Sequence, residues 1–217
     1  MGLKIGILGG TGKEARGLAL RWARAGNEVL IGSRNSEKGT RIASKINDAL
    51  DGTFVQGLVN HEAAARADIV VSTLPYQGQK ETLTSLKEHL DGKLVLVAAL
   101  IWPPGTVERP AAAEEAQETL GDGSRVVAAF QTVSAVGLRN LDEDLEEHVL
   151  VCGDDDGARR EAIGIIESAG LVGIDAGPLR HARIVEAMTG ILIHVNKTYG
   201  VKSSGLRITG IDPSSSH

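Results

Sequence analysis

Gly10, Gly12 and Ala15 fit the pattern Gly-x-Gly-x-x-Ala, directly after the apolar run that contains Ile5, Ile7 and Leu8. Glycines between a strand and a helix let an anion approach the free N–H groups of the helix start. Gly10 is expected to allow the tight turn, Gly12 to admit a pyrophosphate, and small Ala15 to seat the helix against the strand. That is dinucleotide chemistry. In an NAD enzyme, an acid about twenty residues further on holds the ribose hydroxyls. Here Gly32, Ser33 and Arg34 occupy that place. Arg34, with Lys38 one helical turn on, suits the 2′-phosphate of NADP.

Other reactive residue types are sparse. Cys152 is the single cysteine, which excludes an intrachain disulfide and a multi-cysteine metal site; at a strand end it reads as a small buried apolar residue. Asp154, Asp155 and Asp156 stand at the expected start of a helix, where acids cap and complement the dipole. The acidic stretch 142–147 reads as a solvated connection. Six scattered histidines show no metal-ligand spacing, so no metal is expected. Hydride transfer between two bound carriers would need little acid–base work from the protein, so the absence of a hydrolytic motif is consistent with it.

The elements that must position these residues alternate. Short β-branched runs are expected as strands at 4–8, 28–32, 53–57, 68–74, 93–98, 125–130, 148–152 and 171–175. Helices are expected at 13–25, 36–50, 61–67, 80–90, 109–120, 156–169 and about 180–197. Alternation with near-continuous apolar strands predicts an α/β fold with a mostly parallel sheet. Pro103, Pro104 and Gly105 read as a loop at a strand's carboxyl end. At 217 residues, with 42% hydrophobic and 24% charged, the chain suits one domain plus a small appendage. Its longest apolar run, Leu94 to Trp102, is too short to span a bilayer, and its start lacks a secretory pattern, so a cytoplasmic protein is expected. A net charge of −5 argues against nucleic-acid binding.

Five segments, in order, resemble the NADPH-dependent F420 reductase family (reduced coenzyme F420:NADP oxidoreductase). They are residues 9–12, 32–34, the run Val151 to Asp156, the run Asp175 to Leu179, and Arg183, Val185, Glu186 and Thr189. The segments around Cys152 and Asp175 carry the specific weight, since many NADP enzymes share the first two; they are similar also to the reductase domain of membrane ferric reductases. The resemblance implies a doubly wound Rossmann domain, with a small C-terminal element covering a cleft. In that cleft a hydride would pass between NADP(H) and coenzyme F420, a 5-deazaflavin. The nucleotide contacts it implies are Thr11, Gly12, Lys13, Glu14, Ser33, Arg34 and Lys38, with Tyr76, Lys80, Trp102 and Ala135. On the deazaflavin side it implies Thr189 and the backbone of Ser204, Gly205 and Leu206. Members of the family carry His where this chain has Gln131, before Thr132, and Ser where it has Ala187.

A reduced deazaflavin carries extra negative charge, which a nearby donor or cation would stabilise; Arg183, Thr189 and Gln131 are the candidates for this catalytic role. Arg183 and Thr189 are separated by about 600° of helical rotation, so they face different ways, and Arg183 could instead pair with Glu186. From Leu179 to Gly210 five cations, Arg180, Arg183, Lys197, Lys202 and Arg207, stand against one anion, Glu186. This basic segment would attract the coenzyme's acidic tail or else balance neighbouring acids. The expected organisation is a Rossmann domain over 1–178, a covering helix and tail over 179–212, and disorder over 213–217. Small-molecule coenzymes are the expected partners, with a homodimer allowed. A non-catalytic NADP(H) sensor, or an NADPH-dependent reductase of another small substrate, remains the competing reading.

Overall fold

The computed structural model describes residues 2–104, 107–142 and 144–212. Gly105 of the expected loop, Glu143 of the acidic stretch and the terminal segment 213–217 lie outside the described residues.

One sheet holds eight strands: β1 (Lys4–Leu8), β2 (Glu28–Ser33), β3 (Val55–Val59), β4 (Ile69–Ser72), β5 (Leu94–Val97), β6 (Arg125–Ala128), β7 (His148–Gly153) and β8 (Val172–Asp175). Their order is β3-β2-β1-β4-β5-β6-β7-β8. The first six strands run parallel, with Ile5 of β1 in register with Val29 on one side and Ile69 on the other. β7 turns back, pairing antiparallel with β6 at Ala128 and Cys152, and β8 runs parallel to β7. The central strands are buried on both faces, as their unbroken apolar sequences require.

Helices cover both faces and enclose two apolar clusters. α1 (Lys13–Arg24), α2 (Ser36–Leu50) and α6 (Asp156–Ser168) pack on one side. α3 (Asn60–Arg66), α4 (Tyr76–Leu90), α5 (Ala112–Leu120) and the start of α7 (Ala182–Tyr199) pack on the other. In α1 the buried residues Ala15, Leu18, Ala19, Trp22 and Ala23 recur at helical spacing and form the stripe that meets the sheet. The architecture is the doubly wound Rossmann-type fold, whose ligands bind beyond the carboxyl ends of the strands. Among the described residues no helix is long and apolar enough to cross a membrane, and no group of acids, histidines and cysteine could hold a metal.

Several boundaries shift by a few residues from the sequence expectation, β3 among them, and three of the shifts have a local cause. α4 begins at Tyr76, not at residue 80, because its first turn buries polar Gln79, whose Nε2 donates to the Ala112 carbonyl at 2.8 Å. α5 begins at Ala112, not at residue 109, since Pro110 disfavours helical backbone in the residue before it. The C-terminal helix opens with a tight turn over Leu179–His181 before α7, and Gly200 ends it in the left-handed region at φ 67°.

Candidate active site

The loop between β1 and α1 assigns its glycines differently from the sequence reading. Gly9, not Gly10, takes the left-handed conformation, at φ 71°. Gly10 is required by close approach: a Cβ there would stand 2.8 Å from the Ile7 carbonyl oxygen and 2.9 Å from Ile31 Cγ2. Its N–H donates to the Gly32 carbonyl at 2.9 Å and so ties the loop to β2. Gly12 caps α1 and faces open space, with nothing nearer to an added Cβ than the Gly9 oxygen at 3.9 Å. The two glycines should therefore separate stability from binding. Gly10→Ala is expected to lose about 1–3 kcal/mol of stability by overpacking. Gly12→Ala should fold normally and bind NADPH about tenfold more weakly, because its methyl fills the phosphate cradle. Denaturant unfolding and a nucleotide titration of both variants check this pair.

A cavity of about 650 Å³ opens beside that loop. Thr11, Gly12, Ser33, Arg34 and Lys38 all line it, whereas Gly10, Lys13 and Glu14 do not. Ser33 is buried, and its hydroxyl accepts the Asn35 N–H at 3.3 Å, which leaves the hydroxyl proton free to donate. Asn35 caps α2 by accepting the Lys38 N–H at 3.0 Å. Arg34 and Lys38 extend from this preorganised turn, exposed and both positive. The rim can hold a dianionic phosphate; an NAD ribose would find no acid there. Glu14 lies in the first turn of α1, where burial pushes its carboxyl up to about 8. Its charge is thereby disfavoured, which lessens its opposition to an anion at the helix start. Two residues that sequence reasoning missed support the loop. Arg16 Nε donates to the Thr11 carbonyl at 3.2 Å, and Asn60 Oδ1 accepts the Gly9 N–H at 3.4 Å.

Past the ends of β5 and β6 a second group of polar atoms gathers. Gln131 is 5% exposed; its Nε2 donates to the Val97 carbonyl at 2.9 Å, while Oε1 is buried without a partner. Thr189 reaches from α7 and donates its hydroxyl proton to the Gln131 carbonyl at 2.9 Å. Two of the three residues expected to face a deazaflavin are thus brought together. Arg183 is not with them. Its Nε and Nη2 fork the Glu114 carboxylate at 2.6 and 2.8 Å, so its partner is an acid on α5 and not Glu186. Glu186 is itself committed to the backbone N–H groups of Ile101 and Ala112.

Comparison with known proteins decides the family. The family described as NADP oxidoreductase coenzyme F420-dependent matches residues 4–99. The F420-dependent NADP reductase of Methanocaldococcus jannaschii is 38% identical, with 97% of this chain and 100% of that protein aligned. The chain belongs to the coenzyme F420-dependent NADP oxidoreductase family. A second member, the F420-dependent NADP reductase of Methanothermobacter thermautotrophicus, is 37% identical over 97% of each chain. A crystal structure from Arthrobacter sp. FB24 superposes with a TM-score of 0.81 over 96% of this chain and 100% of its own, at 25% identity.

The segments that resemble this family most specifically build the junction of β7, α6 and β8. Asp155 caps α6, accepting the Ala158 N–H at 2.5 Å, and Asp154 accepts the Leu179 N–H at 2.9 Å. Arg159 donates to Asp175, to Asp156 and to the Gly153 carbonyl, at 2.8, 2.6 and 2.6 Å. Cys152 is wholly buried, and burial pushes its thiol up to about 12, so it is no nucleophile at neutral pH.

Other residues implied by the family are dispersed. The Tyr76 hydroxyl donates to Glu115 at 3.0 Å, and Lys80 is exposed one turn further along α4. Trp102 stands 62% exposed on the loop after β5, and the Ala135 carbonyl accepts from Arg139 at 2.9 Å. Ser204 ties the tail to α7, its N–H donating to Asn196 and its hydroxyl to the Leu192 carbonyl. The Leu206 carbonyl accepts the His148 N–H at 2.7 Å, which brings the tail alongside β7. Arg207 lies 3.8 Å from Glu146, an exposed pair of little energetic weight. The acidic stretch is more than a solvated connection, because Glu147 Oε1 is buried and Leu145 packs against the core.

Proposed function

We propose that this chain moves a hydride between NADP(H) and coenzyme F420, with the nucleotide in the cavity beside Gly12 and the deazaflavin facing the turn at Gln131. The observation that carries the reading is the cavity rim, where Ser33, Arg34 and Lys38 converge without an acid, in a chain of this family. The protein's part is to bind and orient both rings and exclude water; the coenzymes supply the redox chemistry. Thr189 and Gln131 hold the strand-end turn at the cleft, and we assign α7 and residues 201–212 as the cleft-covering element. Lys202 and Arg207 would draw in an acidic coenzyme tail. The test is to follow NADPH oxidation with purified deazaflavin coenzyme, riboflavin and a ferric chelate as separate acceptors. Turnover confined to the deazaflavin is expected. Equal rates with riboflavin would overturn the substrate assignment, and nucleotide binding without turnover of any acceptor would favour a sensor.

The outer face of α7 supports a second copy of the chain as partner. Ile184, Met188 and Ile191 follow one another at helical spacing beside Pro104, along an apolar groove of about 590 Å³, and Ile191 is 63% exposed. An isologous pairing would cover this stripe on both copies at once. Light scattering of the native chain should give twice the 22.8 kDa chain mass, and Ile191→Lys should shift it to the single mass. A monomeric native protein would refute this pairing.

A further inference from the structure

Glu186 lies on the inward face of α7 and is 5% exposed. Its two oxygens accept from two different elements. Oε1 takes the Ala112 N–H, at the start of α5, at 2.8 Å, and Oε2 takes the Ile101 N–H, on the loop after β5, at 3.2 Å. One turn earlier on α7, Arg183 forks Glu114, whose Oε2 also accepts the Ala111 N–H at 2.8 Å. One turn later Thr189 donates to the Gln131 carbonyl. The same helix thus grips the start of α5, the loop past β5 and the turn past β6, all on the side of the sheet where ligands of this fold bind.

We infer that Glu186 is a positioning residue for the hydride transfer, fixing α7 against Ile101 and Ala112 so that Thr189 and the Gln131 turn keep their places at the cleft. The inference rests on the reaction proposed above. The cavity beside it, lined by Ile101, Arg109 and Arg183 among others, is about 10 Å³, room for a single water and not for a coenzyme group. Both partners of Glu186 are N–H donors, so the carboxylate satisfies them best; a carboxamide turns a proton toward one of them, and a neutral acid accepts more weakly at its hydroxyl oxygen. Burial pushes this carboxyl up to about 7, against the pull of the two N–H groups and of Arg109 on the loop, with Glu114 on α5 adding to the rise. Tyr76 on α4, bonded to Glu115, also faces Glu186, and Arg183 is committed to Glu114. As pH falls through about 7 the carboxylate is protonated and one grip is weakened.

The test is Glu186→Gln in the full chain, with two independent readouts. Amide hydrogen exchange should become about tenfold faster at whichever of Ile101 and Ala112 then faces the amide NH2, and stay unchanged at Leu30 and Val70, the loss of one buried hydrogen bond. The turnover number with the deazaflavin should fall about tenfold, with KM for NADPH within about twofold. The acid limb of the wild-type rate profile near pH 7 should vanish in the variant. Unchanged exchange at both amides, or an unchanged turnover number with the acid limb intact, would overturn the inference. If the variant does not fold, the wild-type amide shifts of Ile101 and Ala112 decide it: both must move together with one titration between about pH 4 and 8, and shifts flat across that whole range overturn it. A wild-type protein inactive toward the deazaflavin refutes the reaction and with it the catalytic half of the inference, whereas exchange tests the grip itself.

Discussion

Replacing Arg34 with Ala should raise KM for NADPH by roughly ten- to a hundredfold and leave that for NADH within about twofold, since one charge-assisted hydrogen bond carries about 1.5–3 kcal/mol. The asymmetry follows from geometry. Arg34 follows the end of β2 and lines the cavity beside the phosphate loop, where a 2′-phosphate would meet it in the proposed binding mode. Among the described residues neither Arg34 nor Lys38 forms an ion pair with an acid, so their charge is not neutralised within the protein. Both are exposed, so water and salt screen the contact, and the penalty should shrink as ionic strength rises. Ser33→Ala should give the same NADPH-selective loss at smaller size, because that hydroxyl is neutral. Steady-state kinetics with both nucleotides at two salt concentrations measure the effect; equal losses for NADPH and NADH would place Arg34 outside the phosphate subsite.

What was legible in the sequence is what short-range physics writes there. The start of β1, the phosphate loop and the apolar stripe of α1 each depend on residues within a few positions of one another, and the structure keeps their boundaries closely. The direction of β7 was not legible, since an apolar strand reads the same whether it pairs parallel or antiparallel. Nor was the partner of Arg183. Glu114 lies 69 residues away, and only the packing of α7 on α5 brings them together. The nearer acid, Glu186, faces the backbone instead, a role no spacing pattern could announce. The exchange of roles between Gly9 and Gly10 is a subtler case. Both are glycine for a steric reason, but only the course of the backbone shows that Gly9 needs the left-handed region and Gly10 needs the space. The motifs around Cys152 and Asp175 were legible as a family mark, yet their side chains cap helices and brace a loop junction.

Trp22→Ala should destabilise the fold more than Gly10→Ala does, costing about 3–5 kcal/mol. Trp22 is wholly buried between α1 and the sheet, its Nε1 donates to the Ile165 carbonyl of α6 at 2.8 Å, and its ring meets Phe130 edge-on, with centroids 5.9 Å apart. Truncation removes the apolar area and the aromatic contact, leaves a cavity, and removes one of two donors from the Ile165 carbonyl, which keeps the Ser168 hydroxyl. A domain's whole stability is about 5–15 kcal/mol, so the loss takes a large share of it. For a chain of this size the thermal midpoint should drop by roughly 6–20 °C. Trp22→Phe keeps much of the packing and should lose roughly half as much, chiefly the hydrogen bond and some volume. The consequence extends to the cleft. Phe130 holds a left-handed backbone at φ 78°, an unfavourable conformation for a bulky residue that packing must maintain, and Gln131 follows it directly. When Trp22 no longer braces that ring, Phe130 is free to relax, and the Gln131 carbonyl shifts away from Thr189. The variant should therefore lose turnover with the deazaflavin at temperatures where it is still folded, while NADPH affinity stays near that of the native chain, because the phosphate loop rests on Gly9, Gly10 and Asn60. Denaturant unfolding gives the first quantity and kinetics well below the midpoint give the second. A loss of stability below about 1 kcal/mol would mean that the site collapses around the missing ring, and an unchanged turnover number would uncouple the Phe130 conformation from the cleft.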